Sequence, residues 1–355
     1  MAHALRLAAR GIGTTWPNPA VGCVIVNGGQ YLGRGWTQPG GRPHAEVRAL
    51  QQAGTLAAGA TAYVTLEPCA HHGHTPPCTD ALIAAKVARV VTALTDPDPR
   101  VSGKGHARLR AAGIAVTEGI LTAEATRLNA GFLKRVTRGL PHLTLKLATT
   151  LDGRIATSGG ESRWITGAQA RAHVHLLRLT HDAVLVGSGT ARADDPELTV
   201  RGLGSTRQPL RLLLDSRLTH SPASKLGQTA RQHPVWILHG PRAPATSRHG
   251  WADTGARLIE CPAAGDHLDL PATFRLLAQE GLTRILCEGG GQLAAQLIRQ
   301  SLADDLALYQ AGCLIGADGI PALGPLALAA LNDAPRLRRL ETRSLGPDLF
   351  SLYSL

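Results

Sequence analysis

The sequence predicts an α/β protein of two domains, and three observations carry that expectation. The 355 residues are enough for two ordinary domains, and 44% hydrophobic residues can fill two cores. Short apolar runs alternate with helical periodicity in both halves. The breaker Gly139-Leu140-Pro141 stands where the alternation restarts, which divides the chain into 1–139 and 140–355.

In the first half, Met1–Arg10 has helical spacing. Val21–Val26 (VGCVIV) is a continuous apolar run and reads as a buried strand. Asn27-Gly28-Gly29 turns it into a second strand, Tyr31–Thr37. His44–Gly54 reads as helix, Ala60–Leu66 as strand, Thr79–Lys86 as helix and Val87–Leu94 as strand. Gly105–Gly113 is a helix and Ile114–Thr117 a short strand. Leu121–Arg138 reads as one long helix whose basic last turns suit its dipole. The second half opens on a strand, His142–Ala148, and a turn at Thr150–Arg154. Ala168–Leu179 is a helix; Ala183–Val186, Leu210–Leu214, Val235–His239 and Arg284–Cys287 are strands. Gly289–Gln300 becomes a helix, and Ala307–Ala311 and Leu349–Tyr353 are late strands. Gly202–Arg207 and Gly240–His249 read as loops.

The net charge of +11 is uneven, with 15 Lys+Arg against 7 Asp+Glu in residues 1–138. Such a field suits phosphate-bearing ligands or nucleic acid, or else belongs to solvated basic faces. At 3%, aromatic residues are too few for a base-stacking platform. The cysteines, Cys23, Cys69, Cys78, Cys261, Cys287 and Cys313, are too dispersed for a disulfide framework. The start MAHALRLAAR lacks the core of a signal peptide, and no run of about 18 apolar residues exists. A cytoplasmic protein without a membrane span is expected.

The densest chemistry lies in His44-Ala45-Glu46, Pro68-Cys69 and Cys78. One imidazole and two thiolates can hold zinc and leave a fourth position to water. Cys78 opens a helix, a position that favours thiolate. Water on such a metal becomes a nucleophile near neutral pH. Glu46 can take its proton and hand protons to a ring nitrogen and to departing ammonia, which is hydrolytic deamination of a nucleobase-like ring. The usual deaminase spacing places two residues between the cysteines; here there are eight, AHHGHTPP. A structural zinc site completed by His71, His72 or His74 is the competing reading.

Residues 65–78 (TLEPCAHHGHTPPC) and 17–26 (PNPAVGCVIV) closely resemble the bifunctional riboflavin-biosynthesis deaminase–reductase family, in which the long inter-cysteine loop is normal. The resemblance extends over nearly the whole chain. It implies a cytidine-deaminase-like α/β/α domain with zinc on His44, Cys69 and Cys78 and Glu46 as proton shuttle. Asn18 and His71 match contacts to the pyrimidine or the ribose phosphate. His74 stands where Lys or Arg is expected, and His72 reads as a loop residue. Alone, Asn18 would read as a turn residue before proline.

In the second half, the strand up to Cys287 runs into Glu288-Gly289-Gly290-Gly291. Glycines before a helix let backbone N–H groups approach a pyrophosphate. Gly289-x-Gly291-x-x-Ala294 fits a dinucleotide fingerprint, but no strand with an acidic ribose ligand follows about 20 residues on. Nucleotide binding without a Rossmann fold is expected. The blocks LKLATTLDGR (145–154), GESRWIT (160–166) and ADDPELTVR (193–201) carry the family resemblance here. They imply a dihydrofolate-reductase-like α/β domain using NADPH. By resemblance, Ala148, Trp164, Thr190, Asp194, Ser216 and the stretch Gly290, Gly291, Gln292, Leu293, Ala294, Ala295, Gln296 line the cofactor. Ser162, Arg178, Leu198, Arg201 and Glu288 line the substrate. Arg178 and Arg201 suit a phosphate through charge-assisted hydrogen bonds. Read alone, Arg178 is a solvated arginine, Asp194 a cap and Trp164 a core residue. Asp152 belongs to an Asp-Gly turn, with a role near the reacting centre considered. Ser216-Arg217 is a candidate 2′-phosphate contact.

The expected activity is deamination of 2,5-diamino-6-ribosylamino-4(3H)-pyrimidinone 5′-phosphate, then NADPH-dependent reduction of the product's ribose to ribityl. The expected partner is that phosphorylated pyrimidine, not nucleic acid or a membrane. The resemblance also implies a homo-oligomer, dimer or higher, formed through the reductase domain. A nucleic-acid-editing zinc deaminase with an accessory domain is the alternative.

Overall fold

In the computed structural model, which describes residues 1–71 and 76–355, the apolar run Gly22–Asn27 is a strand covered on both faces. Cys23 and Ile25 pack with Ala45 and Ala49 of the helix Ala45–Ala53, whereas Val24 packs with Ala4 and Leu7 of the helix Ala2–Ala8. Successive side chains of a strand point to opposite faces, so a strand between two helical layers has no polar side. Glycines set how closely the helices approach. A Cβ at Gly22 would stand 1.9 Å from the Ala4 carbonyl oxygen; at Gly33 and Gly35 it would stand 2.0 Å and 2.2 Å from those of Ala49 and Ala45. The helix Ala45–Ala53 can therefore lie on the strand Gln30–Trp36 and present its first residues to the site.

The chain divides into two compact units, Met1–Leu140 and Pro141–Leu355. The first unit has a five-stranded sheet in the order Gln30–Trp36, Gly22–Asn27, Thr61–Val64, Arg89–Thr92, Ala115–Thr117. The first two junctions are antiparallel and the last two parallel. The second unit has a nine-stranded sheet in the order Arg257–Glu260, Val235–His239, Leu210–Leu214, Ala183–Gly187, Arg284–Cys287, His142–Thr149, Asp305–Gln310, Asp348–Ser354, Arg338–Leu345. Seven strands run parallel, and the last two form an antiparallel edge. Two buried polar groups brace this sheet. Asp182 accepts from the Thr283 N–H and hydroxyl, both at 2.7 Å, and from the Arg284 N–H at 2.9 Å. Arg211, fully buried in its strand, donates to the carbonyls of Glu197, Thr229 and His233 and to the Thr229 hydroxyl.

Among the segments that differ from the sequence expectation, three bear on the core. The helix expected over Leu121–Arg138 is two helices, Thr122–Leu128 and Ala130–Arg138. Between them the buried Asn129 exchanges two 3.0 Å hydrogen bonds with the backbone of Ala20, one in each direction. Its amide competes with helical continuity and wins. The loop expected over Gly240–His249 turns into the helix Ala245–Asp253, whose Trp251 is fully buried. A further helix, Leu270–Gln279, is capped by the Asp269 carboxylate through the Ala272 N–H at 2.9 Å.

Candidate active sites

His44 precedes the first turn of the helix Ala45–Ala53, and Cys78 is the first residue of the helix Cys78–Ala84. Cys69 follows the strand Thr61–Val64. The one metal-binding atom of each lies within 4.8 Å of the other two. His44 Nδ1 is 3.2 Å from Cys78 Sγ and 3.8 Å from Cys69 Sγ. No other cluster of three metal-binding side chains is found among the described residues.

Backbone contacts hold the two sulfurs together. The Cys78 N–H donates to Cys69 Sγ at 3.2 Å, and the Thr79 N–H and hydroxyl both donate to the Cys69 carbonyl at 3.2 Å. Hydrogen bonding from Cys78, and then from His44, draws the Cys69 thiol down to about 4. The neighbouring Cys69 and burial push Cys78 up. Two thiolates this close repel unless a cation lies between them, and that donor set suits zinc. Glu46 sits in the first turn after His44 and is 4% exposed. Burial raises its carboxyl above the ordinary value, against the pull of His44.

One residue important to this arrangement was not singled out from sequence. Glu67, two residues before Cys69, is buried and accepts four N–H groups: Asp96 (3.1 Å), Gly103 (3.0 Å), Gly105 (2.8 Å) and His106 (3.2 Å). It fastens the segment carrying Cys69 to the start of the helix Lys104–Ala111. The available signal was an acidic residue before Pro-Cys in an apolar run. Asn18 lies against Gly41, where a Cβ would come within 2.0 Å of its Nδ2. The His71 ring nitrogen Nδ1 is buried, with Asp98 close enough to feel its charge. His72 and His74 lie outside the described residues.

In the second unit, Arg178 and Glu288 form a buried bidentate pair, Nε–Oε1 2.6 Å and Nη2–Oε2 2.9 Å. Arg178 also donates to the Thr199 carbonyl at 2.6 Å. Its guanidinium is thereby engaged, so it orients Glu288 instead of waiting for a phosphate. Burial alone would raise the Glu288 carboxyl; Arg178 holds it below the usual value. Lys146, on the central strand His142–Thr149, feels Glu288, Arg178 and Asp194, and burial lowers its pKa. A lysine inside a largely buried strand was the overlooked signal. Arg201 is exposed, with Glu197 at 2.6 Å and its N–H on His175 Nδ1 at 3.3 Å. Leu198 is buried, and Ser162 is half-buried.

The glycine run makes a cradle. Helix Gly291–Arg299 starts at Gly290 with no side-chain cap. A Cβ at Gly290 would meet Thr190 Oγ1 at 3.3 Å, and one at Gly291 would meet the Ala322 carbonyl at 2.9 Å. Bare N–H groups at such a helix start fit a dinucleotide's diphosphate. Thr190 and Gly290 are thus brought together, and Leu293 packs toward Gly187 and Gly289. Ala294 and Ala295 face the core, Gln292 is exposed and Gln296 half-buried. Trp164 is 69% exposed, with the Arg171 guanidinium 4.5 Å from its ring centre, which removes the core reading. Ala148 is half-buried beside Tyr309, and the Asp194 carbonyl accepts from Arg163 at 2.8 Å. The Ser216 carbonyl accepts from the Gly240 N–H at 3.0 Å. Asp152 is a loop anchor, accepting from the Thr150 hydroxyl and from the N–H groups of Ile315 and Gly316.

Comparison with known proteins agrees with both units. The cytidine and deoxycytidylate deaminase zinc-binding region matches residues 1–94, and the RibD C-terminal domain matches residues 141–351. Riboflavin biosynthesis protein RibD of Escherichia coli is 46% identical over 361 residues, covering 98% of this chain and 96% of that protein. The solved structure of Acinetobacter baumannii RibD, form 1, is 39% identical with a TM-score of 0.90, covering 99% of this chain and 97% of that one. A diaminohydroxyphosphoribosylaminopyrimidine deaminase/5-amino-6-(5-phosphoribosylamino)uracil reductase from Thermotoga maritima is 31% identical with a TM-score of 0.87, covering 100% and 97%. Fold and site define a two-unit α/β enzyme, cytidine-deaminase-like and then dihydrofolate-reductase-like. The chain belongs to the RibD family of riboflavin biosynthesis proteins. Membership across both units displaces the nucleic-acid-editing alternative.

Proposed function

We propose that this chain catalyses two consecutive steps of riboflavin synthesis. Residues 1–139 deaminate 2,5-diamino-6-ribosylamino-4(3H)-pyrimidinone 5′-phosphate with zinc. Residues 140–355 reduce the resulting 5-amino-6-(5-phosphoribosylamino)uracil with NADPH. The observation that carries the reading is the His44–Cys69–Cys78 cluster beside a buried Glu46.

Zinc on those three side chains would polarise a water molecule for attack on the amine-bearing ring carbon. Glu46, in its buried position, accepts a proton from that water and returns protons to the ring nitrogen and the leaving amine, which departs as ammonia. Asn18 and His71 meet the pyrimidine or its ribose phosphate in this reading. In the second unit, NADPH along Gly290–Gln296 would supply hydride to the sugar carbon of the open imine form. Ala148, Trp164, Thr190, Asp194 and Ser216 complete the cofactor's surroundings in this reading. Arg178 fixes the Glu288 carboxylate at the inner end of the site. Arg201 offers an exposed guanidinium to the ribose phosphate, and Ser162 and Leu198 border the substrate.

Glu46→Gln tests the first half. It keeps shape and removes the proton carrier, so ammonia release should fall about 10²–10⁴-fold with zinc retained. Reduction of supplied deaminated intermediate should continue unchanged, and unaltered ammonia release would remove Glu46 from the mechanism. Mass identification of products with and without NADPH reads both steps. No helix among the described residues is long and apolar enough to cross a membrane. Work in the cytoplasm as a homo-oligomer paired through the reductase unit completes the reading; family resemblance and the exposed Leu314 and Leu331 of that unit support it. Sedimentation of the purified chain should give at least twice the 37.2 kDa chain mass; a monomer would refute pairing.

A further inference from the structure

The strand Gln30–Trp36 is the outer strand of its sheet, so one of its edges faces no other strand of that sheet. Backbone groups of an antiparallel strand alternate between its two sides. The Thr37 N–H turns inward, to the Val21 carbonyl at 2.9 Å, and the Arg34 N–H turns outward, to Gln52 Oε1 at 2.8 Å. Arg34 and Trp36 therefore both present N–H and C=O to the open edge. Gln38 Nε2 donates to the Trp36 carbonyl at 2.8 Å. Among the described residues no side chain or turn takes the remaining pair, the Arg34 carbonyl and the Trp36 N–H.

Arg34, Trp36, Gln38, Arg48, Gln51 and Gln52 line a cavity of about 290 Å³ over this edge. That volume falls at the small end of ligand pockets and suits one mononucleotide. Its lining holds two arginines and no acidic side chain. Neither guanidinium has a carboxylate partner among the described residues; Arg48 reaches only Gln51 Oε1, at 3.5 Å. Beside them Arg10 lies 4.9 Å from the centre of the Trp36 ring. Burial first, and then Arg34, Arg6 and Arg10, hold the neighbouring His3 below its ordinary pKa, which marks an uncompensated positive field. Arg48 is seated closely on the strand, since a Cβ at Gly35 would stand 2.8 Å from Arg48 Cβ.

The cavity is separate from the zinc-binding cluster. Arg48, Gln51 and Gln52 share one face of the helix Ala45–Ala53. Glu46, two residues before Arg48, lies about 200° around the helix from it, and it is buried where those three are exposed.

An acceptor next to a donor on a strand edge complements adenine. Its exocyclic amine N6 can donate to the Arg34 carbonyl while its ring nitrogen N1 accepts from the Trp36 N–H. Guanine presents two adjacent donors and needs a second acceptor, which Gln38 has already taken at Trp36. Unpaired guanidinium groups suit a phosphate through charge-assisted hydrogen bonds. Gln52 and Gln38 close two of the four outward groups, which blunts the edge against a strand from a second copy.

We infer that this cavity binds an adenine mononucleotide, with the base on the backbone of Arg34 and Trp36 and the phosphate on the guanidinium groups of Arg34 and Arg48. The site stands apart from the centres of both reactions described above.

The test is calorimetric titration of the full chain with AMP, GMP, the 1-deaza analogue of AMP and inorganic phosphate, each with and without saturating NADPH. AMP should bind once per chain with NADPH present, and about tenfold or more tightly than the other three. The 1-deaza analogue has C–H in place of N1 and loses the bond from the Trp36 N–H. Arg34→Ala and Arg48→Ala should each weaken AMP about tenfold or more and leave NADPH binding unchanged. Both changes are at exposed positions, and thermal unfolding checks that the variants remain folded. Absence of AMP binding would overturn the site. Loss of AMP binding on adding NADPH would move the nucleotide to the glycine cradle and overturn it equally. GMP or phosphate binding as tight as AMP would overturn recognition of adenine, and an equally tight 1-deaza analogue would overturn the role of the backbone pair. Arginine variants that bind AMP like the unmodified chain would overturn the phosphate assignment.

Discussion

Cys69→Ala is expected to strip the zinc from the protein and to abolish ammonia release. Cys69 is the sulfur whose thiol is drawn down to about 4, chiefly by Cys78 and also by His44. It is one of three donors whose ligating atoms all lie within 4.8 Å of one another, and two remaining donors cannot complete the three-ligand set of a catalytic zinc site. Changes one shell outside a metal typically cost 10–100-fold in affinity; removing a ligand outright should exceed that. Metal analysis after dialysis should find well below one zinc per chain. Reduction of supplied deaminated intermediate by the same preparation should stay within about twofold of the unmodified chain, because its residues belong to the other unit. Stoichiometric zinc in Cys69→Ala would overturn the ligand assignment.

Arg178→Met should be the most destabilising change in the second unit. It leaves the Glu288 carboxylate buried without its bidentate partner, and breaking a buried pair in this way costs about 3–5 kcal/mol. Its pH dependence has a definite sign. In the unmodified chain Glu288 lies below its ordinary value in the folded state, with burial outweighed by Arg178. That contribution to stability is present above the unfolded carboxylate pKa of about 4.3 and is lost as pH falls through the folded value. In the variant, burial is opposed only by the weaker pulls of Lys146 and His175, so the folded value rises and ionised Glu288 opposes folding at neutral pH. The stability gap between the two proteins should be widest near pH 7.5 and narrow toward pH 5. Urea unfolding at both values measures it; a gap that widens on acidification would contradict the ion-pair account. Reduction should be lost as well, since Glu288 loses its orientation.

The cluster of His44, Cys69 and Cys78 was legible in the sequence because its chemistry is narrow: few residue types bind zinc, and folding brings these three together. The core strands were legible for a related reason. VGCVIV has no polar face to give up, and its helices lie on both sides. Long-range polar arrangements were not legible. Nothing near Asn129 in sequence announces that its amide will meet Ala20 and end a helix. Glu67 reads as one more acidic residue until the chain returns with four N–H groups between Asp96 and His106. Sequence makes Arg178 a candidate phosphate contact, and only the folded geometry shows its guanidinium engaged by Glu288 and the Thr199 carbonyl. The helix Leu270–Gln279 is different, because its signal was present. Asp269 followed by Leu-Pro is a helix start with a cap and an early proline, a signal that apolar runs alone do not carry.

Glu67 and Thr79 divide the labour of the inter-cysteine segment. One grips the chain just before Cys69 and the other staples Cys69 to the residue after Cys78. The sulfurs are therefore registered from outside the interval they enclose. A substitution at Glu67 or Thr79 would therefore move one sulfur relative to the other without touching a ligand, and would loosen the grip on the cation from a distance.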